Sequence, residues 1–351
     1  MTAISSTPVT ELFKIEHPII CACMDHTSGP ELAAAVTNAG GLGCLAGSSY
    51  TPEQLRTVIR QLKSKLMNPN APFGVDLPFV QIGGNARKTN YDYNKGRTAE
   101  YVDLIIEEEP TLFVFAAGVP PQWIVDRLHK ARIFVMNIVG HPKYVAKALQ
   151  SGVDLICSQG GEGGGHTGDI PATVLIPACV DVVRGHKSPL TGGPVYVIGA
   201  GAVYDGRSLA ANLSWGAEAV WVGTRFVASV EAGAPKAHKE AVLSAGYEDA
   251  ITTLIYTGRP LRVRRTPYVE DWNSNRQQEI KELTSKGILP HDHELEKHPE
   301  KSLEGRTFLI GRVSALIDEV LPAKTIVENM VNDAARIIQS NAAKTKVQAK
   351  L

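Results

Sequence analysis

The sequence predicts an α/β protein, a TIM (β/α)8 barrel with a small, mainly helical C-terminal subdomain over the barrel mouth. Three observations predict it. Eight short apolar runs alternate with amphipathic segments, the rhythm of parallel strands joined by crossover helices. The glycine-rich turns come late, after runs six, seven and eight, whereas an open doubly wound sheet usually shows one early, after its first strand. Beyond about residue 231 the alternation stops. The 351 residues are 44% hydrophobic and 21% charged, ordinary globular values at a length that accommodates one large α/β domain and an appendage.

Residues 18–23 form the first strand candidate. Residues 31–39 carry apolar Leu32, Ala35, Val36 and Ala39 at helical spacing and end at Gly40-Gly41, a helix stop. Strand candidates follow at 42–46, 73–77, 112–116, 133–139, 153–157, 194–198 and 219–222. Helices are expected at 52–66, 98–108, 120–130, 142–150, 170–183 and 205–215. Asp169 is placed to cap the helix at 170–183, with Pro171 in its first turn, and Asp205 to cap the one at 205–215. Residues 80–97 form a loop long enough to read as a lid. This gives a barrel over residues 1–231. A lid subdomain at 232–309 would contain a helix at 232–246, an arginine-rich run from Arg259 to Arg265 and a polar stretch with His291, His293 and His298. Helices at 308–321 and 323–338 would return to the barrel, with a tail, in the segment 310–351.

Equal numbers of basic and acidic residues, 36 each, give no net charge to draw nucleic acid or an anionic membrane surface. No apolar run reaches the roughly 18 residues of a transmembrane helix, and no signal peptide is evident. Cys21, Cys23, Cys44, Cys157 and Cys179 are odd in number and mostly inside apolar runs, as expected of reduced, intracellular thiols. Neither they nor the histidines of 291–298 have partners at metal-ligand spacing, so no metal site is expected.

The organising stretch is residues 157–169, Cys-Ser-Gln-Gly-Gly-Glu-Gly-Gly-Gly-His-Thr-Gly-Asp, between the sixth strand and its helix. Glycines let backbone N–H groups approach a ligand closely, and one histidine among them suggests acid/base chemistry above a flat or anionic cofactor. Loop seven (Gly199-Ala200-Gly201-Ala202-Val203-Tyr204-Asp205) and loop eight (Gly223-Thr224-Arg225) each put glycine between a strand end and a helix start. Two such helix N-termini on adjacent strands would cradle a phosphate. Asp25 and His26 fall at the mouth after strand one, where they either select substrate or face solvent; Asn137 and His141 flank the end of strand five and could line the same mouth. The Arg259–Arg265 run could meet an anionic substrate or a nucleotide phosphate, or pair with nearby acids.

These motifs together resemble the nitronate monooxygenase family, also called 2-nitropropane dioxygenase-like flavoproteins. The family's loop-six pattern Gln-Gly-x-Glu-Ala-Gly-Gly-His-x-Gly is met by residues 159–168, with Gly163 in place of Ala. Its Pro-Ile-x-x-Ala-Pro-Met is met by Pro18, Ile19, Ala22 and Met24, with Cys23 in place of Pro. Its Pro-Glu-Leu-Ala-Ala-Ala-Val-x-Asn-Ala-Gly-Gly-Leu-Gly is met by residues 30–43, and its Gly-Thr-Arg-Phe by residues 223–226. The resemblance implies a non-covalent FMN. Ala22 and Met24 would lie against the flavin ring, Gln159 and Gly164 would contact it from loop six, and Gly201, Gly223 and Thr224 would hold its phosphate. Asp76 stands where the family often has Asn and would bind the flavin as an acceptor, from ribityl hydroxyls or a ring N–H, since its carboxylate does not donate. His166 would be the catalytic acid/base, since an imidazole near neutral pKa can take a proton from carbon beside a nitro group. The implied reaction is oxidation of alkyl nitronates with O2 to a carbonyl compound and nitrite. The alternatives are an NAD(P)H-dependent quinone or enoyl-thioester reductase on the same fold, and a flavin-binding protein without turnover. The partners are then a small-molecule substrate and O2, with room for a homodimer. The terminal Ala349-Lys350-Leu351 is a variant of the Ser-Lys-Leu peroxisomal address, to be read by an import receptor in a eukaryotic source; otherwise the location is cytoplasmic.

Overall fold

A computed structural model describes residues 6–80 and 82–345. Eight parallel strands form the barrel: β1 (Ile19–Cys21), β2 (Gly43–Ala46), β3 (Phe73–Leu77), β4 (Leu112–Phe115), β5 (Phe134–Val139), β6 (Leu155–Gln159), β8 (Tyr196–Ala200) and β9 (Ala219–Val222). A short β7 (Gly165–His166) interrupts the count between β6 and β8. The strand order is β1-β9-β8-β6-β5-β4-β3-β2. A bridge between Ile20 and Leu42 joins the two ends, with Cys21 N–H donating to the Leu42 carbonyl and Leu42 N–H to that of Ile19, both at 2.9 Å.

The side chains explain the closure. Inward positions carry Ile20, Leu42, Leu112, Val114, Met136, Leu155, Cys157 and Ile198, all fully buried, and fill the barrel as a packed core. Helix Pro8–Phe13 plugs the bottom. Thr7 caps it, and Phe13 packs edge-on against Phe134 with ring centroids 5.5 Å apart. The outward positions meet the surrounding helices in a second apolar layer. Asp205 caps helix Gly206–Ser214 in a capping box, as its position in the sequence implies. The last helix, Ala323–Ala342, packs back on that helix and on Pro30–Asn38, burying Ile326, Val327, Met330 and Val331.

Over the mouth, the region expected to be mainly helical also contains a sheet. Strands β10 (Ala250–Thr253) and β11 (Leu261–Arg264) are antiparallel, and β11 pairs with β7. Since β7 belongs to loop six, the sheet stitches that loop to the segment above it. Helices Pro267–Asn275, Gln277–Ser285 and Pro290–Lys297 enclose a separate small core around Trp272, Ile255 and Val263.

Two local expectations are corrected. The stretch 308–321 is not an α-helix and contains only a 3-10 turn, Arg312–Leu316. Its backbone groups are spent on the barrel loops: Gly311 N–H donates to Thr224 Oγ1, Arg312 N–H to the Glu162 carbonyl, and Leu321 N–H to the Ala228 carbonyl. Nor does Asp169 cap the helix after loop six. That helix starts at Ala172, and its first N–H points at both oxygens of Glu162, 3.1 and 3.3 Å away, ten residues upstream. A carboxylate there satisfies an orphan donor and complements the helix dipole.

Candidate active site

The C-terminal ends of the strands open into a cavity of about 630 Å³. Such a mouth is where this fold carries ligands, because its loops vary while the strands below stay rigid. The cavity brings together Ala22 and Met24 after β1, Gln159 and the loop-six residues Glu162 to His166, Gly201 after β8, and Gly223 and Thr224 after β9. A Cβ placed on Gly223 would sit 3.6 Å from Ala22 Cβ and 3.7 Å from Met24 Sδ, so these three form one wall.

Two glycines are required by geometry. Gly201 has φ +80°, and a Cβ there would meet the Gly160 backbone at 2.8 Å. Gly164 would drive a Cβ to 2.7 Å from the Ile310 carbonyl carbon, so only glycine lets loop six pack against the returning chain. Ala202 also holds a left-handed φ of 59° beside Gly201. The paired helix N-termini are only half realised, however. Asp205 bonds the Ser208 N–H and occupies the start of its own helix. The polar groups at that end of the cavity are the backbone of residues 201–203 and Thr224. Thr224 Oγ1 accepts from Gly311 N–H at 2.9 Å, which leaves its own O–H to donate.

His166 faces the cavity from β7. Gln159 Nε2 donates to its carbonyl at 2.6 Å, and its Nε2 lies 3.0 Å from Thr257 Oγ1. The ring is open to the cavity but crowded by protein on its other sides. That loss of bulk water, reinforced by the nearby Arg259 charge, pushes its pKa down to about 4. The imidazole is therefore neutral at pH 7 and able to accept a proton.

Asp76 does not line the cavity. It is buried at the end of β3, where Oδ1 accepts from Gly47 N–H at 3.2 Å and the carboxyl meets the Cys23 thiol. Burial raises its pKa from 3.8 to about 7. A folded-state pKa above the unfolded one means that the native chain holds the extra proton, so this group's contribution to stability falls as pH rises from 3.8 to about 7. Asp76→Asn keeps the acceptor and removes the titration. The variant is expected to be more stable than the parent at pH 8 and to show a flatter dependence of Tm on pH between 4 and 8. A parallel pair of curves would contradict this.

Asn137 and His141 do not line the mouth either. Asn137 is fully buried and donates to the carbonyls of Phe115 and Gly118; His141 accepts from Lys143 N–H at the start of a 3-10 turn. Asp25 and His26 do line it and are exposed; Asp25 meets Ser49, and His26 lies 3.2 Å from the Tyr50 hydroxyl. The arginine run is mostly structural. Arg262 is buried on loop six, Arg264 pairs with Asp249, and Arg265 with Glu270. His291 packs against Tyr256 and Tyr268, and no cluster able to hold a metal ion occurs among the described residues. The same set contains no helix long and apolar enough to cross a membrane. The five cysteines are free thiols. Residues 349–351, expected above as a variant peroxisomal address, lie outside the described residues.

Among the cavity residues that carry no sequence signal are His238, Tyr256 and Thr257. His238 Nε2 bonds the Leu309 carbonyl at 2.9 Å, so that nitrogen carries the proton. Thr257 has the more direct role, as the partner of His166. Thr257→Val is expected to lower kcat about two- to tenfold, the worth of one net hydrogen bond, with flavin content unchanged. Thr257→Ser should restore the rate. Equal rates in all three proteins would remove Thr257 from the site.

The sequence profile described as nitronate monooxygenase matches residues 6–333. The chain belongs to the nitronate monooxygenase family. It is 31% identical to a protein of Mycobacterium tuberculosis named (3aS,4S,5R,7aS)-5-hydroxy-7a-methyl-1-oxo-octahydro-1H-indene-4-carboxyl-CoA dehydrogenase, over 96% of this chain and 98% of that one. It is 27% identical to a Staphylococcus saprophyticus protein named "Probable nitronate monooxygenase", over 95% and 99%. Among solved structures it superposes on FabK from Thermotoga maritima with a TM-score of 0.78 and 31% identity, covering 97% and 99% of the two chains. As a member of the nitronate monooxygenase family, the protein is an oxidoreductase built on the (β/α)8 barrel.

Proposed function

We propose that this protein is an FMN-dependent oxidoreductase in which His166 moves a proton at a carbon beside an electron-withdrawing group. The observation that carries the reading is the meeting, in one cavity, of a neutral histidine and a glycine-lined wall. The residues fit the group. Gly164, Gly201 and Gly223 line the cavity without side chains to fill it, and Thr224 keeps a hydroxyl proton for a phosphate. Bound FMN would accept the substrate's electrons and pass them to O2. Ala22 and Met24 would support its ring, Gln159 and Gly164 would border it, and Gly201, Gly223 and Thr224 would hold its phosphate. His166 would stand over the reacting carbon, held by Thr257, and would take or return the proton there.

Alkyl nitronates are the substrates that the family suggests, formed from a neutral nitroalkane if His166 takes the proton beside the nitro group, with a carbonyl compound and nitrite as products. A second reading, oxidation or reduction of an acyl-CoA thioester, is favoured by the 31% identity to a dehydrogenase whose named substrate is a carboxyl-CoA. A thioester carbonyl also acidifies the neighbouring C–H, so His166 would serve either chemistry.

The deciding experiment mixes the purified protein anaerobically with NADPH, NADH or an alkyl nitronate and follows flavin absorbance. Bleaching by nitronate alone supports the first reading. Bleaching by a nicotinamide turns the search to thioester or quinone acceptors. Colourless protein that also refuses added FMN would overturn both.

A further inference from the structure

Two positive charges at the rim are left without a role. Arg87, on the long loop after β3, donates through Nη1 to the carbonyl of Gly258 at 3.3 Å. The next residue, Arg259, lies in the turn before β11 and donates through Nε and Nη2 to Asn90 Oδ1 at 3.2 and 2.7 Å. These acceptors are neutral, so they satisfy hydrogen bonds and leave both charges whole. Among the described residues neither arginine forms an ion pair, whereas Arg56, Arg97, Arg127, Arg264 and Arg276 each hold a carboxylate. Arg259 is also half-buried, and desolvation and the Arg87 charge both lower its pKa. Like charges held together, one of them partly dried, with donors to spare, are stabilised by an anion.

The surroundings narrow the class of anion. Tyr93 lies near enough to Arg259 to affect its protonation, and Tyr91 packs edge-on against Tyr93 with centroids 5.3 Å apart while remaining 54% exposed. An exposed aromatic ring packed on the tyrosine that neighbours Arg259 suits a base attached to a phosphate. Arg259 is two residues from Thr257, whose hydroxyl holds His166. A ligand anchored at this rim would therefore extend towards the reacting carbon.

We propose that Arg87 and Arg259 form a recognition site for the ribose phosphate of an adenosine-bearing reactant, with Tyr91 as the platform for its base. The inference rests on the cavity being the reaction chamber and extends the thioester reading. Coenzyme A carries such a phosphate on the 3′ oxygen and NADPH on the 2′ oxygen; free alkyl nitronates carry none.

The test is calorimetric binding to the purified holoenzyme, in two matched pairs: coenzyme A against dephospho-coenzyme A, and NADP+ against NAD+. Heat of binding requires no turnover, and flavin content is read separately from the spectrum, so failure here leaves the flavin assignment standing. At least tenfold tighter binding of one phosphorylated member is expected, and the pair that shows it identifies the reactant. Arg87→Gln and Arg259→Gln should each reduce that binding about ten- to a hundredfold, the worth of a charge-assisted hydrogen bond. Arg259→Lys, which keeps the charge, should lose less. Equal affinities within both pairs, or a preference that survives both glutamine variants, would overturn the site. Arg87 is exposed on a loop, so its variant tests the proposal even if Arg259→Gln does not fold.

Discussion

Replacing His166 with Asn should lower kcat/KM by about a hundred- to ten-thousandfold on a substrate whose C–H must be deprotonated, the usual contribution of a positioned base. Flavin content should stay the same. The ring's hydrogen bond is to Thr257 Oγ1, and the Gln159 contact is to the His166 backbone carbonyl, which survives the substitution. Comparing a neutral nitroalkane with its nitronate sharpens the test. The nitronate arrives already deprotonated, so its turnover should fall much less. The pH profile gives an independent check. Because the cavity pushes the imidazole pKa down to about 4, the base form is already populated above that pH. Activity of the parent should therefore be level from pH 5.5 to 7.5, with its acid limb near 4 rather than near the ordinary histidine value of 6.5. An acid limb that persists unchanged in the Asn variant, or a variant within threefold of the parent on the neutral substrate, would remove His166 from the chemistry.

The barrel was readable because its signals are local. Strand β3 is found at Phe73–Leu77 and β9 at Ala219–Val222, where apolar runs flanked by turn residues place them. Strand β6 runs to Gln159, two residues beyond its apolar run, because Ser158 faces a fully buried position that its side chain does not advertise. The glycine positions of loops six to eight were equally legible; Gly161, Gly164, Gly168 and Gly201 are held by close backbone approaches, whereas Gly223 has only ordinary side-chain contacts. What could not be read are features fixed by partners far along the chain. Glu162 displaces Asp169 as the helix cap because loop six folds back on itself. Residues 308–321 have a helical apolar pattern, but their N–H groups find better acceptors on Thr224, Glu162 and Ala228 than on their own preceding turns. Thr257 meets His166 across 91 residues, and no spacing rule connects a threonine to a histidine at that distance.

Arg262 shows how far such a long-range partner can change a reading, and its replacement is expected to have a large effect. In the sequence it is one arginine of a run suited to anions. In the structure it is 6% exposed, with Nε and Nη2 on the Gly161 carbonyl at 3.2 and 2.7 Å and Nη1 on the Ala250 carbonyl at 2.7 Å. One side chain thus ties loop six to β10, across the strand register that sets Arg262 opposite Gly165. Burial lowers its pKa, yet the guanidinium stays charged at neutral pH, helped by the negative potential of Glu162 and Asp169. Arg262→Met fills similar space and leaves both carbonyls without this donor. The expected cost is about 3 kcal/mol, from charge-assisted hydrogen bonds lost in a buried setting. For a chain of this length that corresponds to a fall in Tm of about 4 °C. Because the released loop carries Gln159, Gly164 and His166, bound flavin should be lost in the same step, measurable as a lower flavin-to-protein ratio after gel filtration. Arg262→Lys supplies one nitrogen where two carbonyls must be reached, and should recover only part of either quantity. A variant with unchanged Tm and full flavin content would show that loop six is held by its β7 pairing alone.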